Sequence, residues 1–265
     1  MIAAEILDYY RRGGEVTRLS AGTGRLEFLR TWDVLTRVLP PAEATVLDVG
    51  GATGVYAGPL AEAGYAVRLV DPVPEHVSTA AGLPGVSATL GDARSLPLPD
   101  ASVDAVLMLG PLYHLPERDD RLAAWREAAR VARPGAPVVA ATINRFAALL
   151  DGFAKGLYAD PRYRPVVERG LADGNHRNPD ASTRWFTTAY FHRPEELPEE
   201  VREAGLELDR VVAVESPLWL VGPRLDSILA DPDDLDRMLE LVRAIESEPS
   251  MLGASSHLLT VARRR

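Results

Sequence analysis

TVLDVGGATG, residues 45–54, is the stretch on which the reading of this 265-residue chain turns. Its apolar run, Thr45 to Val49, interrupted only by Asp48, reads as a strand buried in a parallel sheet. Gly50, Gly51 and Gly54 follow at once and permit a sharp turn with close backbone approach to a ligand. A helix starting near Val55 would then aim its free N–H groups at that ligand. A nucleotide-like cofactor belongs at such a strand end. Spacing excludes the dinucleotide option: the pattern G-x-G-x-x-G needs glycine at Ala52 and Val55 if counted from Gly50, or at Thr53 and Tyr56 if counted from Gly51.

The segment resembles motif I of the class I S-adenosylmethionine-dependent methyltransferases, hydrophobic-hydrophobic-Asp-hydrophobic-Gly-x-Gly-x-Gly, with Asp48, Gly50 and Gly54 in place. Ala52 stands where the middle glycine usually is. One added methyl should displace the methionine moiety of a cofactor slightly without abolishing the site. Downstream, Tyr65 to Val70 reads as a second strand ending in Asp71, 17 residues after Gly54. The resemblance implies that this acid accepts both ribose hydroxyl protons. Gly91-Asp92-Ala93 matches the family's adenine-binding Gly-Asp-Ala, VDAVLMLGPLYHL (Val103 to Leu115) its fourth strand and exit loop, and EAARVARPGAPVVAAT (Glu127 to Thr142) its next helix, turn and fifth strand. The match is close over 45–142 and holds in outline over 194–262. It implies S-adenosylmethionine as cofactor, contacted by Asp48, Gly50, Gly51, Ala52, Gly54, Asp71, Pro72, Asp92, Ala93, Leu109 and Gly110; on the cap, Tyr9, Tyr10, Arg18 and Arg25 are candidates for its methionine end, where a guanidinium would pair with the carboxylate.

The implied fold is α/β, a Rossmann-like sheet of seven mostly parallel strands with the last antiparallel, and the alternation of strand and helix patterns to Thr142 agrees with it. Residues 1–44 read as an N-terminal helical cap, with Ile2, Ile6 and Tyr10 on one face and Phe28, Trp32, Leu35 and Leu39 on another. The cofactor-binding core takes 45–142 and 194–265, its second part carrying a helix (Glu195 to Ala204), a strand (Leu206 to Glu215), a helical stripe through Leu235 to Ile245 and a last strand (His257 to Ala262). Residues 143–193 are left as a lid inserted after the fifth strand, at the carboxyl edge where open α/β sheets bind ligands.

That insertion is chemically distinct. It holds 8 of the chain's 17 aromatic residues, and 8 basic against 5 acidic side chains, so it is +3 while the remainder is −12. A small acid-bearing aromatic acceptor, or a natural-product intermediate of that kind, follows as the expected substrate class, held by Tyr113, Asn144, Arg145, Arg177, Trp185 and Tyr190. The bland alternative is that the aromatics form a small core of their own, that the arginines are solvated, and that Asn144 and Arg145 cap the next helix. Among five histidines, His114, His176 and His192 are the candidates for a general base. His76 reads as lying near the adenine or at the surface, His257 as structural, and Glu215 as a supporting acid or a strand-end charge. No local ligand pair supports a metal.

Composition bounds the rest. The absence of cysteine excludes disulfides, thiolate zinc sites and cysteine nucleophiles. No 18-residue apolar run or basic-then-apolar leader is present, which reads as cytoplasmic with no membrane partner. One lysine among 29 basic residues points to a GC-rich bacterial genome, and the net charge of −9 argues against a nucleic-acid partner. The expected function is methyl transfer to an O or N atom of a small molecule by a monomer or homodimer. Two alternatives are a methyltransferase acting on a protein or tRNA, and a non-catalytic S-adenosylmethionine-binding protein.

Overall fold

Strand β1 (Thr45–Val49) sits at the middle of the sheet, buried from Val46 onward. In the computed structural model, which describes residues 5, 6, 9, 18–178, 185–222 and 224–265, it pairs in parallel with β2 (Ala66–Asp71) on one side and β4 (Ala105–Met108) on the other. Strand β3 (Val86–Leu90) continues beyond β2, and β5 (Pro137–Asn144) beyond β4. Strand β9 (His257–Arg264) then runs antiparallel between β5 and β8 (Leu206–Ala213). The core order β3-β2-β1-β4-β5-β9-β8, with one antiparallel strand, is the expected seven-stranded sheet. Because the order reverses between β1 and β4, a crevice opens at their carboxyl ends.

Successive side chains of a strand face opposite ways, so the apolar runs feed two layers. Leu47, Val106 and Val138 face helix α4 (Arg118–Val131), whose Leu122, Trp125, Ala128 and Val131 are buried. Val46, Leu107 and Val139 face the opposite layer, formed by α1 (Gly22–Val38) and α2 (Ala57–Glu62). In α1 the buried stripe is Leu26, Val34, Leu35 and Val38, while Phe28 stacks between Trp32 and Tyr56. Helix α3 (Pro74–Ala80) crosses from β2 to β3. Ile6 is buried, whereas Ile2 and Tyr10 lie outside the described residues.

Inserted residues after β5 form α5 (Ala147–Ala154), α6 (Tyr163–Asp173) and a short antiparallel pair, β6 (Asn175–His176) with β7 (Ala189–His192). The Asn144 N–H donates to Ser256 on the β9 side and the Arg145 N–H to His192. Consecutive N–H groups point to opposite edges, so β7 occupies the β4 side of β5, just past the end of β4. Trp185, Tyr163, Phe191, Leu157 and Val167 make a separate apolar cluster there. The chain returns through α7 (Leu197–Glu203), β8, α8 (Arg224–Ala230), α9 (Pro232–Arg243) and α10 (Pro249–Leu252). Asp231 caps α9, accepting from the Asp233 and Asp234 N–H groups.

Some boundaries differ from the sequence reading. The first helix after motif I begins at Ala57, not Val55, because residues 52–56 are spent in turns. Strand β8 stops at Ala213, since the chain turns at Ser216 with φ 49°. The last strand runs past Ala262 because Arg263 and Arg264 still pair with Glu207 and Leu206.

Candidate functional site

The crevice holds a cavity of about 1290 Å³ including its mouth. Its floor begins at the motif I turn. Gly50 has φ 69° and Gly51 follows it; a Cβ on Gly50 would come within 2.8 Å of Pro111 Cγ. Gly54 does not reach the cavity. Its φ is 92°, and a Cβ there would lie 2.5 Å from Leu83 Cδ1, so this glycine lets the turn pack on the segment after α3. Ala52 adopts φ 49° and donates its N–H to Asp71 Oδ2 at 2.9 Å, so the turn keeps the left-handed shape a glycine would take. That conformation costs an L-residue about 1–2 kcal/mol, offset in part by glycine's greater unfolded-state entropy. Ala52→Gly is therefore expected to raise stability by about 0.5–1 kcal/mol in a denaturant titration; a decrease would show that the turn is unstrained.

At one side of the cavity Asp71, Pro72, Val73, His76, Asp92 and Ala93 line the wall. Asp71 is buried and already accepts three bonds: Ala52 N–H on Oδ2, and Val73 N–H and His76 Nδ1 on Oδ1, the last at 3.1 Å. A carboxylate has about four acceptor positions, so one remains on Oδ2. Asp92 is clasped by Arg94, whose guanidinium holds its carboxyl below the ordinary range. Under the turn, Asp48 is 1% exposed and neither of its oxygens has a hydrogen-bond partner. Burial, with the nearby charge of Asp71, pushes it up to about 7.

Across β4 and β5 the lining changes. Leu109, Gly110, Tyr113 and His114 come from the β4 exit, Ala141 from β5, Leu259 and His257 from β9, Val214 from the end of β8, and Glu27 and Thr31 from α1. His114 meets Tyr113 edge-on and stacks with Phe186, with ring centroids 4.7 and 5.7 Å apart. Burial pushes it down to about 4 despite a hydrogen bond to the Thr188 backbone, so its ring is neutral at pH 7. His257 lies opposite, its Nδ1 2.5 Å from Glu215 Oε1 and 3.6 Å from Glu27 Oε2, and Glu27 in turn is paired with Arg18.

A methyltransferase-domain family model matches residues 47–140. A ubiquinone biosynthesis O-methyltransferase of Xanthomonas axonopodis pv. citri is 31% identical over 195 residues, covering 71% of this chain and 73% of that one. The chain belongs to the class I S-adenosylmethionine-dependent methyltransferases. An uncharacterized methyltransferase of Mycobacterium tuberculosis is 43% identical over 99 residues, 37% of this chain and 39% of the relative, so the match spans less than half the length of that protein. Solved methyltransferases from Mesorhizobium loti (TM-score 0.60, 18% identity, 90% of this chain and 100% of that one) and Methanosarcina mazei (TM-score 0.58, 20% identity, 87% and 96%) share the fold. S-adenosylmethionine is the cofactor of such proteins, and the residues present fit it. Gly50 and Gly51 present bare backbone to the cavity, and Asp71 keeps an acceptor position beside them.

Several sequence expectations are corrected. Of the two cap arginines, Arg25 is exposed on α1 and does not line the cavity, whereas Arg18, one turn before that helix, does. Tyr10, expected beside it at the methionine end, lies outside the described residues. His176 is buried against Phe191 and bonded to the Phe186 carbonyl, and burial pushes it down to about 4. His192 is fully buried 3.5 Å from Glu200. Neither reaches the cavity, because β6 and β7 turn these rings into the packing of the insertion. Asn144 caps the following turn, accepting from the Phe146 N–H and donating to the Leu252 carbonyl. Arg145 is consumed by the Phe191 carbonyl and Glu196, and Tyr190 by Glu196 and the Arg121 guanidinium 3.7 Å over its ring. Trp185 donates to Asn178 within the separate cluster, and Arg177 lies near Glu5. None of these side chains lines the cavity. What the sequence reading missed is Glu27, Thr31 and Tyr56, and the placement of His257. Glu27 and Thr31 fall one helical turn apart on α1, a polar pair interrupting an apolar stripe, which was the one available signal.

Proposed function

We propose that the protein transfers the methyl group of S-adenosylmethionine to an oxygen or nitrogen of a small molecule. The observation that carries this reading is the two-sided cavity: its β1–β3 side offers Asp71, the Gly50 turn and Asp92, and its β5–β9 side offers apolar walls interrupted by a few charged groups. Its lining runs without a break from Asp71 and Asp92 to Ala141 and His257, which suits a cofactor and an acceptor side by side. The oxygen option is favoured by the name of the 31% identical relative, an O-methyltransferase. With a net charge of −9 and no helix among the described residues long and apolar enough to cross a membrane, a small molecule is the partner the surface suits.

In this reading Asp71 takes one ribose hydroxyl on Oδ2, where the sequence alone suggested two. Asp92 and Ala93 meet the adenine, and Pro72, Leu109 and Gly110 form the walls around them. Bound S-adenosylmethionine supplies a methyl group already activated on a sulfonium. The protein's own task is then alignment, exclusion of water and removal of a proton where the acceptor carries one. Tyr113 and His114, with Phe186 behind them, close the β4 side of the cleft, and Glu5 joins the N-terminal segment to Thr188 above it. The insertion then acts as a wall supporting the acceptor side.

Thermal shifts test the cofactor assignment: S-adenosylmethionine and S-adenosylhomocysteine are expected to raise the melting temperature and NAD to leave it unchanged. Asp71→Ala should weaken cofactor binding by about 1–3 kcal/mol. Tritiated-methyl transfer into host extract should label the small-molecule fraction. Label confined to protein or RNA would overturn the acceptor class, and unchanged affinity in the Asp71 variant would overturn the cofactor side.

A further inference from the structure

His257 was expected to be structural, yet it lines the acceptor side of the cavity and is the best-supported proton-handling group there. Its Nδ1 is held 2.5 Å from Glu215 Oε1. Glu215 is 3% exposed and locked in turn, its Oε2 accepting from the Ser255 hydroxyl at 2.8 Å and the His257 N–H at 2.9 Å. The imidazole thus has a fixed orientation and tautomer, the arrangement in which a carboxylate holds a catalytic base. Among the described residues Nε2 has no hydrogen-bond partner, while the ring faces the cavity wall beside Val214, Leu259 and Ala141.

Resting on the methyl-transfer reading above, we propose that His257, oriented by Glu215, takes the proton of the methyl acceptor through Nε2, and that the attacking group is a hydroxyl of phenol or enol acidity. The hydroxyl oxygen bonds to the methyl carbon as the carbon–sulfur bond breaks, the bonding pair stays on sulfur, and the hydroxyl proton passes to Nε2. Glu215 is a positioning residue, since it meets the ring and not the acceptor.

The charges around the ring set the acceptor class. Glu215 from the β8 end and Glu27 from α1 both favour the imidazolium, while Arg18 opposes it; burial alone lowers it, and the two carboxylates prevail, raising His257 to about 9. With two carboxylates beside it the ring favours its protonated form, which pairs with the anion of an acidic hydroxyl such as a phenol and not with an aliphatic alcohol, whose anion does not form near neutral pH. A sulfonium entering the same cavity opposes the imidazolium charge and brings the ring closer to neutral working pH. His114, driven the other way by burial, is the weaker base of the two. Glu27, Glu215 and His257 also place ligand atoms within 4.8 Å of one another. Because a proton already joins His257 to Glu215 and Arg18 already pairs with Glu27, the cluster reads as a proton site, not a cation site.

The test uses the full chain loaded with S-adenosylhomocysteine and 4-nitrophenol as the probe, whose colour reports its ionisation. In the wild type the bound phenol should be ionised, its apparent pKa lowered by about one unit, equivalent to a tenfold preference for the anion. His257→Gln should lose at least about tenfold in nitrophenol affinity, as expected for losing a charge-assisted bond, and should abolish the colour shift. Glu215→Gln should shrink the colour shift, a readout that a merely structural carboxylate would not move, and His257→Asn provides a second variant if His257→Gln folds poorly. Retained binding of S-adenosylhomocysteine shows that each variant is folded. Nitrophenol bound equally by wild type and His257→Gln, bound in its neutral form, or not bound to the loaded wild type would overturn the proposal. Failure of S-adenosylhomocysteine itself to bind would instead overturn the methyltransferase reading.

Discussion

Arg30→Ala is expected to destabilise the fold by about 3–5 kcal/mol, the cost of removing one partner from a buried charge network. Arg30 is fully buried on α1 and donates to the Val214 carbonyl at 3.1 Å, Asp33 at 2.6 Å and Glu246 at 2.7 Å. Burial raises both carboxyls, but Arg243, Arg37 and Arg30 around Asp33, and Arg37 and Arg30 around Glu246, overcome it and hold both below the ordinary range. Without Arg30, Asp33 retains Arg37 and Arg243, and Glu246 retains Arg37, each less well enclosed. The sign with pH follows from the depressed carboxyls. Their contribution is present above the unfolded carboxylate pKa and is lost as pH falls through the lower folded values. The gap between wild type and variant in a urea titration should therefore be largest near pH 7 and shrink below about pH 4. A midpoint unchanged at pH 7 would show that the network is energetically idle. Because Arg30 anchors Val214 next to Glu215, the variant should also impair the His257 side of the cavity more than the Asp71 side.

Asp48 presents the opposite case, a buried carboxyl with no partner. Its folded-state pKa is raised to about 7 from 3.8. Between those values the folded protein holds a proton that the unfolded chain has released, so stability falls as pH rises through the window and levels off above it. Asp48→Asn removes this titration. The stability difference, variant minus wild type, is expected to grow by about 4 kcal/mol from pH 4 to pH 8, taking roughly three pKa units at 1.36 kcal/mol each. The absolute gain at pH 8 is smaller, because the amide must itself be buried without partners at a cost of about 1–3 kcal/mol. Denaturant titrations of the cofactor-free protein at the two pH values measure it, and a pH-independent difference would mean that Asp48 ionises normally in the fold.

Legibility in the sequence followed the range of the interactions involved. Strand β1, the left-handed turn at Gly50, the acid at Asp71 and the Gly91-Asp92-Ala93 segment depend on residues a few positions apart: an apolar run needs cover, and a tight turn needs residues that tolerate positive φ. These, through the family they resemble, sufficed for the sheet topology and the cofactor. Arg145, Tyr190 and Trp185 show the limit. Composition marked them as the charged and aromatic wall of an acceptor site, yet whether a guanidinium or a ring is available depends on what else has reached it. Glu196 and Arg121 come from outside the insertion, and only folding brings them to Arg145 and Tyr190.

By itself, then, the sequence determined the alternating strands and the motif I turn, because local spacing dictates local backbone shape, and its resemblance to the methyltransferases implied the antiparallel last strand and the cofactor. The β5–β9 side of the cavity was decided only by tertiary structure. Glu27, Glu215 and His257 lie on α1, after β8 and at the start of β9. They converge because the antiparallel return of β9 carries its first residue to the same edge as the end of β8, with Arg30 of α1 binding the Val214 carbonyl there. No spacing along the chain records that meeting; it exists only once burial and pairing have placed three distant segments around one cavity.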